Sequence, residues 1–304
     1  MEPRRDLVGY ADSPPDLCWP NGARLALNFV LNYEEGSEYS LADGDGRTDA
    51  ALSEVASPRV PVGERDLAAE SMFEYGSRVG FWRLVRLFQA HELPLTIFAS
   101  ALALERNPAA AEAIAASEWD VVCHGRRWIE HYRLDRDIER REIAEAYATL
   151  ERLTGRAPEG WYCRYAPSVH TRELLVEHGG FSYDSDAYND ELPYWVQVAG
   201  RAHLVVPYSL VTNDAKLVGG PLVNGRDFAD LLIDAFDELV DEAEIHPRMM
   251  SVGMHARILG QPSRARGLRR FLAHIEGRTD VWICRRGDLA AHWRATVPPP
   301  ERVL

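Results

Sequence analysis

The sequence predicts an α/β protein built as a parallel barrel of seven or eight strands, each followed by a helix. Three observations lead there. Apolar runs of strand length alternate with segments of helical spacing from residue 25 to the C-terminal region. The runs are apolar almost continuously, as strands buried on both faces must be. Several of them end in residues suited to acid–base work, at the carboxyl end where such barrels place their chemistry. The 304 residues are enough for one large barrel, and no repeat or low-complexity linker divides them. A single domain, 1–304, is therefore expected, with 1–23 as an extended arm. The rival, an open doubly wound sheet, lacks its G-x-G-x-x-G fingerprint after the first strand.

Each element has its own justification. The arm is rich in turn formers, among them Pro14, Pro15, Pro20 and Gly22. Residues 25–36, LALNFVLNYEEG, read as a buried strand that stops at two carboxylates and a glycine. A long polar segment follows, from Ser37 to Glu70, which is expected to cover the barrel mouth or reach a neighbour. From Glu74, Val79, Trp82, Val85 and Phe88 recur at helical spacing, and the helix ends before Pro94. LPLTIFAS (93–100) is a strand, Asn107-Pro108 caps and opens a helix, and WDVVCHG (119–125) is the next strand. Asp135–Leu153 is an amphipathic helix closed by Gly155. GWYCRY (160–165), FSYDSDAY (181–188), HLVVPYSLV (203–211), MMSVGMHA (249–256) and DVWICR (280–285) supply five more strands. Helices are expected at 171–177, 227–242, 262–276 and from Gly287.

Composition narrows the partners. With 47 acidic and 34 basic residues the net charge is -13, which argues against a nucleic-acid or anionic membrane surface and for a small polar substrate. Cys18, Cys123, Cys163 and Cys284 form no C-x-x-C and read as reduced thiols. The N-terminus carries no apolar h-region, and no run approaches a spanning helix, so a soluble, cytoplasmic protein is expected.

Four predicted strand ends converge: Glu34-Glu35, Cys123-His124-Gly125 with Trp128, Arg164-Tyr165, and His255 with Arg257. A lone histidine after an apolar strand is usually a structural hydrogen-bonder. Two of them with a carboxylate pair and an arginine on one face describe an active site. A desolvated carboxylate gains basicity and histidine titrates near neutrality, so the set can activate water and protonate a leaving nitrogen. No G-x-S-x-G elbow supports a covalent route. The polar run Asp184, Asp186, Tyr188, Asn189 and Asp190 reads equally as turn chemistry, and Leu192, Pro193, Tyr194 and Trp195 as pocket wall or core.

The ordered blocks NYEEG, CHGRRW, WYCRY, YDSDAYNDELPYW and GMHARILG resemble the polysaccharide-deacetylase superfamily, most closely its metal-independent allantoinase branch. The resemblance runs from DLVGY at residue 6 to AHW at 291–293. It implies a distorted (β/α) barrel and a homotetramer. Where metal-dependent members have two aspartates, a base and a metal ligand, this chain has Glu34 and Glu35. Where they have H-x-x-x-H, it has His124 and Trp128, and an indole cannot replace an imidazole ligand. His131 is a weak substitute. The block WYCRYAPSVHTR departs from the branch's WYTGR, displacing Arg164 and Tyr165, which puts the substrate's shape in question.

The resulting expectation is an amidohydrolase, without metal or other cofactor, opening a small cyclic ureide or imide, allantoin to allantoate first. Glu34 takes the proton of the attacking water, Glu35 orients water or substrate nitrogens, and His124 or His255 protonates the departing nitrogen. Asn32, Trp128, Arg164, Tyr165 and Asp186 form the substrate-binding set. The alternative is a metal-dependent deacetylase of an N-acetylated sugar, with Glu35, His124 and one of His131 or His255 as ligands.

Overall fold

The computed structural model describes residues 5–55 and 60–299. Residues 1–4 of the expected arm and 56–59 of the expected mouth segment lie outside the described residues. One curled sheet of nine strands forms the body. In chain order these are β1 (Leu25–Tyr33), β2 (Thr96–Ala99), β3 (Asp120–Cys123), β4 (Gly160–Trp161), β5 (Tyr183–Asp184), β6 (Tyr194–Val198), β7 (Arg201–Val205), β8 (Arg248–His255) and β9 (Val281–Ile283). They are joined in the order β6-β7-β5-β4-β3-β2-β1-β8, with β9 also on β1. All pairings are parallel except the β6–β7 hairpin.

β1 is the axis of this arrangement because its nine residues are all buried. β8 runs along it from Leu25 to Asn32. β9 pairs with Leu25–Leu27 and β2 with Val30–Tyr33, so two strands divide the other edge between them. The distortion of the barrel begins there. On the far side, β8 meets irregular chain instead of a strand: Met249 N–H donates to Glu191 O at 3.0 Å, and Asn213 bridges Gly253. Gly253 N–H donates to Thr212 O and Asp214 N–H to Gly253 O, both at 3.0 Å. This short seam closes the barrel.

Alternation along β1 sorts the core into two layers. Leu25, Leu27, Phe29, Leu31 and Tyr33 face the helices, packing with Phe81, Phe88 and Phe271. Ala26 and Val30 face the lumen with Phe98, Val122, Tyr162 and Tyr208. Below them Arg286 is fully buried, its terminal nitrogens bonded to Asn28, Ser251, Ser185 and the carbonyls of Val206 and Pro207. At the base the described part of the arm lies on its own barrel: Trp19 donates to Arg248 O at 3.0 Å and packs on Trp282 and Trp293.

The helices follow the expected order, with additions. α1 (Leu67–Tyr75) starts seven residues before Glu74, because Asp66 caps it by accepting from Ala68 N–H and Ala69 N–H. A π turn, Gly76–Gly80, joins it to α2 (Phe81–Ala90). A short α3 (Ala101–Arg106) precedes α4 (Pro108–Ala115), which Asn107 caps as predicted. α5 (Arg136–Thr154) ends at Gly155 in the left-handed region, and α6 (Thr171–His178) follows. The rest are α7 (Lys216–Gly219), α8 (Gly225–Glu242), α9 (Pro262–Ile275) and α10 (Arg286–Thr296). Among the described residues no helix is long and apolar enough to cross a membrane.

Three expected strands lose most of their predicted length. Of 160–165 only Gly160–Trp161 is strand, with Arg164 in an isolated bridge to Glu130, of 181–188 only Tyr183–Asp184, and of 203–211 only the part to Val205. Beyond those points the chain turns outward, and polar side chains take up the backbone groups: Asp186 accepts from Cys163 N–H at 3.0 Å. Tyr194 and Trp195 belong to β6, an edge strand that alternation did not reveal, and Trp195 Nε1 donates to Val297 O.

Candidate active site

The carboxyl ends of β1, β3 and β8 deliver three side chains to one point. Glu34 follows β1 on the lumen face, His124 follows β3 in the register of Val122, and His255 ends β8 in the register of Met249 and Ser251. Glu34 Oε1 lies 3.1 Å from His124 Nε2 and 3.5 Å from His255 Nε2. Arg257 joins them, with Nη1 2.8 Å from Glu34 Oε2. All four are buried, at 1% exposure for Glu34 and His124, 4% for His255 and 3% for Arg257.

Each imidazole is oriented from behind. His124 Nδ1–H donates to Tyr162 O at 2.8 Å, and its ring stacks on the Tyr162 ring. His255 Nδ1 is 2.6 Å from Asp214 Oδ1, while Asp214 Oδ2 accepts from His255 N–H and Leu259 N–H. Burial alone would lower the His255 pKa. The Glu34 and Asp214 carboxylates on its two sides overcome that and push it up to about 9, so the ring is an imidazolium at neutral pH. Burial likewise opposes charge on Glu34, but Arg257 and His255 hold its carboxyl well below the usual range. Base and acid are thus set apart within one cluster.

Glu35 points the other way, because adjacent strand residues face opposite sides. Its carboxylate lies against Gly76 of the π turn, where a Cβ would collide with Oε1. Oε1 accepts from Arg257 N–H at 3.2 Å and Nη1–H at 3.4 Å. Burial raises its pKa, in contrast to Glu34. Glu35 therefore holds Arg257 and faces away from the lumen, which corrects the expectation that it orients the water.

The expected substrate-binding residues divide. Asn32 is in the lumen one step below Glu34, donating to Met254 O at 3.0 Å and Tyr208 OH at 3.3 Å. Trp128 covers the cluster: the Arg257 guanidinium lies 4.9 Å from its ring centroid and that of Arg164 lies 3.7 Å away. Arg164 pairs with Asp49 and donates to Trp128 O, so it fastens the mouth segment and does not reach Glu34. Tyr165 is 64% exposed, against Tyr188, and is not brought to the cluster. Asp186 accepts from Cys163 N–H, and beside Asp184 in a desolvated setting its carboxyl is pushed up to about 8. It too stands apart.

The mouth segment lies over the site as its length suggested. Leu52 O accepts from Arg257 Nε at 2.8 Å, and Ser37 O accepts from Trp128 N–H at 3.0 Å. Outside it, Asp49, Leu52, Glu130 and Arg164 help line a cavity of about 560 Å³. Sequence reasoning missed Asp214, which sits in an aperiodic loop. It noted Arg257 without giving it a role, although its parity with His255 was a readable signal.

The residues present do not fit a catalytic divalent metal. Trp128 stands where a second imidazole is needed, and a guanidinium already neutralises Glu34. His131 is no substitute: it is on the helix side of the sheet, 3.1 Å from Glu139 Oε1 and edge-on to Trp161. Among the described residues no three His, Cys, Asp or Glu side chains are grouped to hold a metal ion.

Comparison with known proteins places this geometry. The sequence model of the polysaccharide deacetylase family matches residues 64–179. A putative polysaccharide deacetylase of Schizosaccharomyces pombe is 38% identical over 98% of this chain and 99% of its own. The crystal structure of Puue allantoinase superposes with a TM-score of 0.94 at 44% identity, over 99% of this chain and 100% of that one. A probable polysaccharide deacetylase from Pseudomonas aeruginosa PAO1 gives 0.93 at 44% identity, over 97% and 99%.

Proposed function

The chain belongs to the polysaccharide deacetylase family, hydrolases of C–N amide bonds, and from that premise we propose that it opens the ring of a small cyclic ureide or imide, allantoin to allantoate being the first candidate. The observation that carries this reading is enclosure. Glu34, His124, His255 and Arg257 lie buried beneath Trp128 and the segment through Leu52, a covered arrangement that suits a small ring better than a polymer. The likeness to an allantoinase across both chains supports the same substrate class.

In this scheme water bound at Glu34 gives it a proton and attacks the ring carbonyl. His255, already an imidazolium between two carboxylates, donates to the departing nitrogen. His124, locked on Tyr162 O, sets its Nε2 3.1 Å from Glu34 Oε1 and limits where the carboxylate can turn. Trp128 walls the ring.

The test is allantoin hydrolysis by protein stripped with a chelator, followed as allantoate formation. Turnover undiminished by stripping is the expected result. Activity that returns only with zinc, and on N-acetylated sugars in place of allantoin, would overturn it in favour of a metal-dependent deacetylase.

A further inference from the structure

We infer that Arg257 is a catalytic residue of this reaction, its Nη2 donating to the carbonyl oxygen as negative charge develops there; this rests on the reading that Glu34 directs water at a carbonyl. An arginine has five N–H donors in a rigid fork. Here Nε is bonded to Leu52 O at 2.8 Å and Nη1 is directed to Glu35 Oε1 at 3.4 Å. Nη2 is buried and, among the described residues, has no hydrogen-bond partner. Glu34 Oε2 is in the same condition: Nη1 stands 2.8 Å away, close enough for an ion pair but outside hydrogen-bond alignment. A free acceptor and a free donor thus belong to the same buried ion pair. One suits a water proton and the other a carbonyl oxygen.

A second buried arginine of the chain provides the contrast. Arg286 has both terminal nitrogens bonded, to Asn28, Ser251, Ser185, Val206 O and Pro207 O. Only its Nε lacks a partner, so the forked end that could meet a ligand is wholly taken up by the protein. Arg257 is equally confined, but its confinement leaves one end open. Its guanidinium is 4.6 Å from the Phe73 centroid and 4.9 Å from that of Trp128, and its backbone N–H is fixed on Glu35. Glu35 is accordingly a positioning residue, acting through Arg257.

The step balances. A water proton passes to Glu34 as the water oxygen bonds to the carbonyl carbon, and the carbonyl oxygen becomes an oxyanion against Nη2. The C–N bond breaks as its electron pair takes the His255 proton. The Glu34 proton returns to His255, 3.5 Å away, and the new carboxylic acid releases its own proton to solvent. Fixed donors aimed at developing charge carry much of such a barrier.

Arg257→Lys keeps the charge and loses the fork. On allantoin its kcat is expected to fall by a factor on the order of 10²–10³, with KM little changed. Arg257→Ala should be inactive and partly rescued by millimolar guanidinium chloride, but not by sodium chloride at equal ionic strength. Glu35→Gln should lower kcat less than Arg257→Lys and gain nothing from guanidinium. A folded Arg257→Lys enzyme with near-wild-type kcat overturns the inference, as does a folded Arg257→Ala enzyme that guanidinium leaves inactive. A wild type inert on allantoin but active on hydantoin or N-acetylglucosamine oligomers removes only the ring assignment, and the variants are then compared on that substrate. Inertness on all of them overturns both readings.

Discussion

Glu34→Gln is expected to retain the fold and lose at least a factor on the order of 10² in kcat, the usual scale for removing a general base. The side chain is buried at the point where β1, β3 and β8 converge, so an amide of the same shape leaves packing intact. It removes the acceptor for the water proton. It also removes one of the two anions flanking His255, so the variant's residual rate should show an alkaline limb at lower pH. Near-full activity on allantoin, with circular dichroism unchanged, would take the role of base away from Glu34.

The second large effect is expected from Asp214→Asn. In the wild type His255 is held at about 9 against an ordinary value of 6.5. A raised folded-state pKa favours the native state while the group is protonated. That contribution is complete below pH 6.5 and is lost as pH rises through about 9. The same deprotonation removes the acid, so turnover should decline over the upper part of that interval. Asparagine cannot supply the charge, and the alkaline limb should move toward neutrality while kcat at its maximum falls by roughly tenfold or more. Glu34 has the opposite sign. Held below 4.5, it adds stability above that value, lost as pH falls through its depressed folded value, and the acid limb should therefore lie below the usual carboxylate range. A pH–rate profile, with the His255 imidazole followed by NMR, checks both limbs. An unmoved alkaline limb in Asp214→Asn would show that Asp214 does not set the charge of His255.

The sequence disclosed the parts of the site that inherit the register of a regular strand. Glu34 and His124 follow, and His255 ends, a strand with a regular partner, each on the lumen face, and apolar patterning is enough to find such ends. Glu35 was misassigned because two neighbouring carboxylates look alike in a string, whereas the pleat sends them to opposite sides. Arg164, Tyr165 and Asp186 follow strands of only two residues, β4 and β5, so pattern no longer governs where they point. His131 is seven residues after His124, but the chain between them runs through bends at 126–129 and His131 only opens a short 3-10 turn, so the interval has no regular register. β6 was invisible because an edge hairpin with half-exposed residues carries little alternation in its apolar content.

The seam that closes the barrel carries Asp214 itself, held by hydrogen bonds between 212–214 and Gly253 where other strands have full partners. Short, irregular pairing of this sort exchanges its amide hydrogens through local openings that leave the rest of the molecule folded. Mild denaturant should therefore abolish turnover before tryptophan fluorescence reports unfolding, with the Asp214 and Gly253 amides exchanging faster than those of Leu27 and Phe29. Coincident midpoints would show that the seam opens only with the whole barrel. If they separate, the working lifetime of this enzyme is set by three loop residues, and cross-linking that seam is the way to lengthen it.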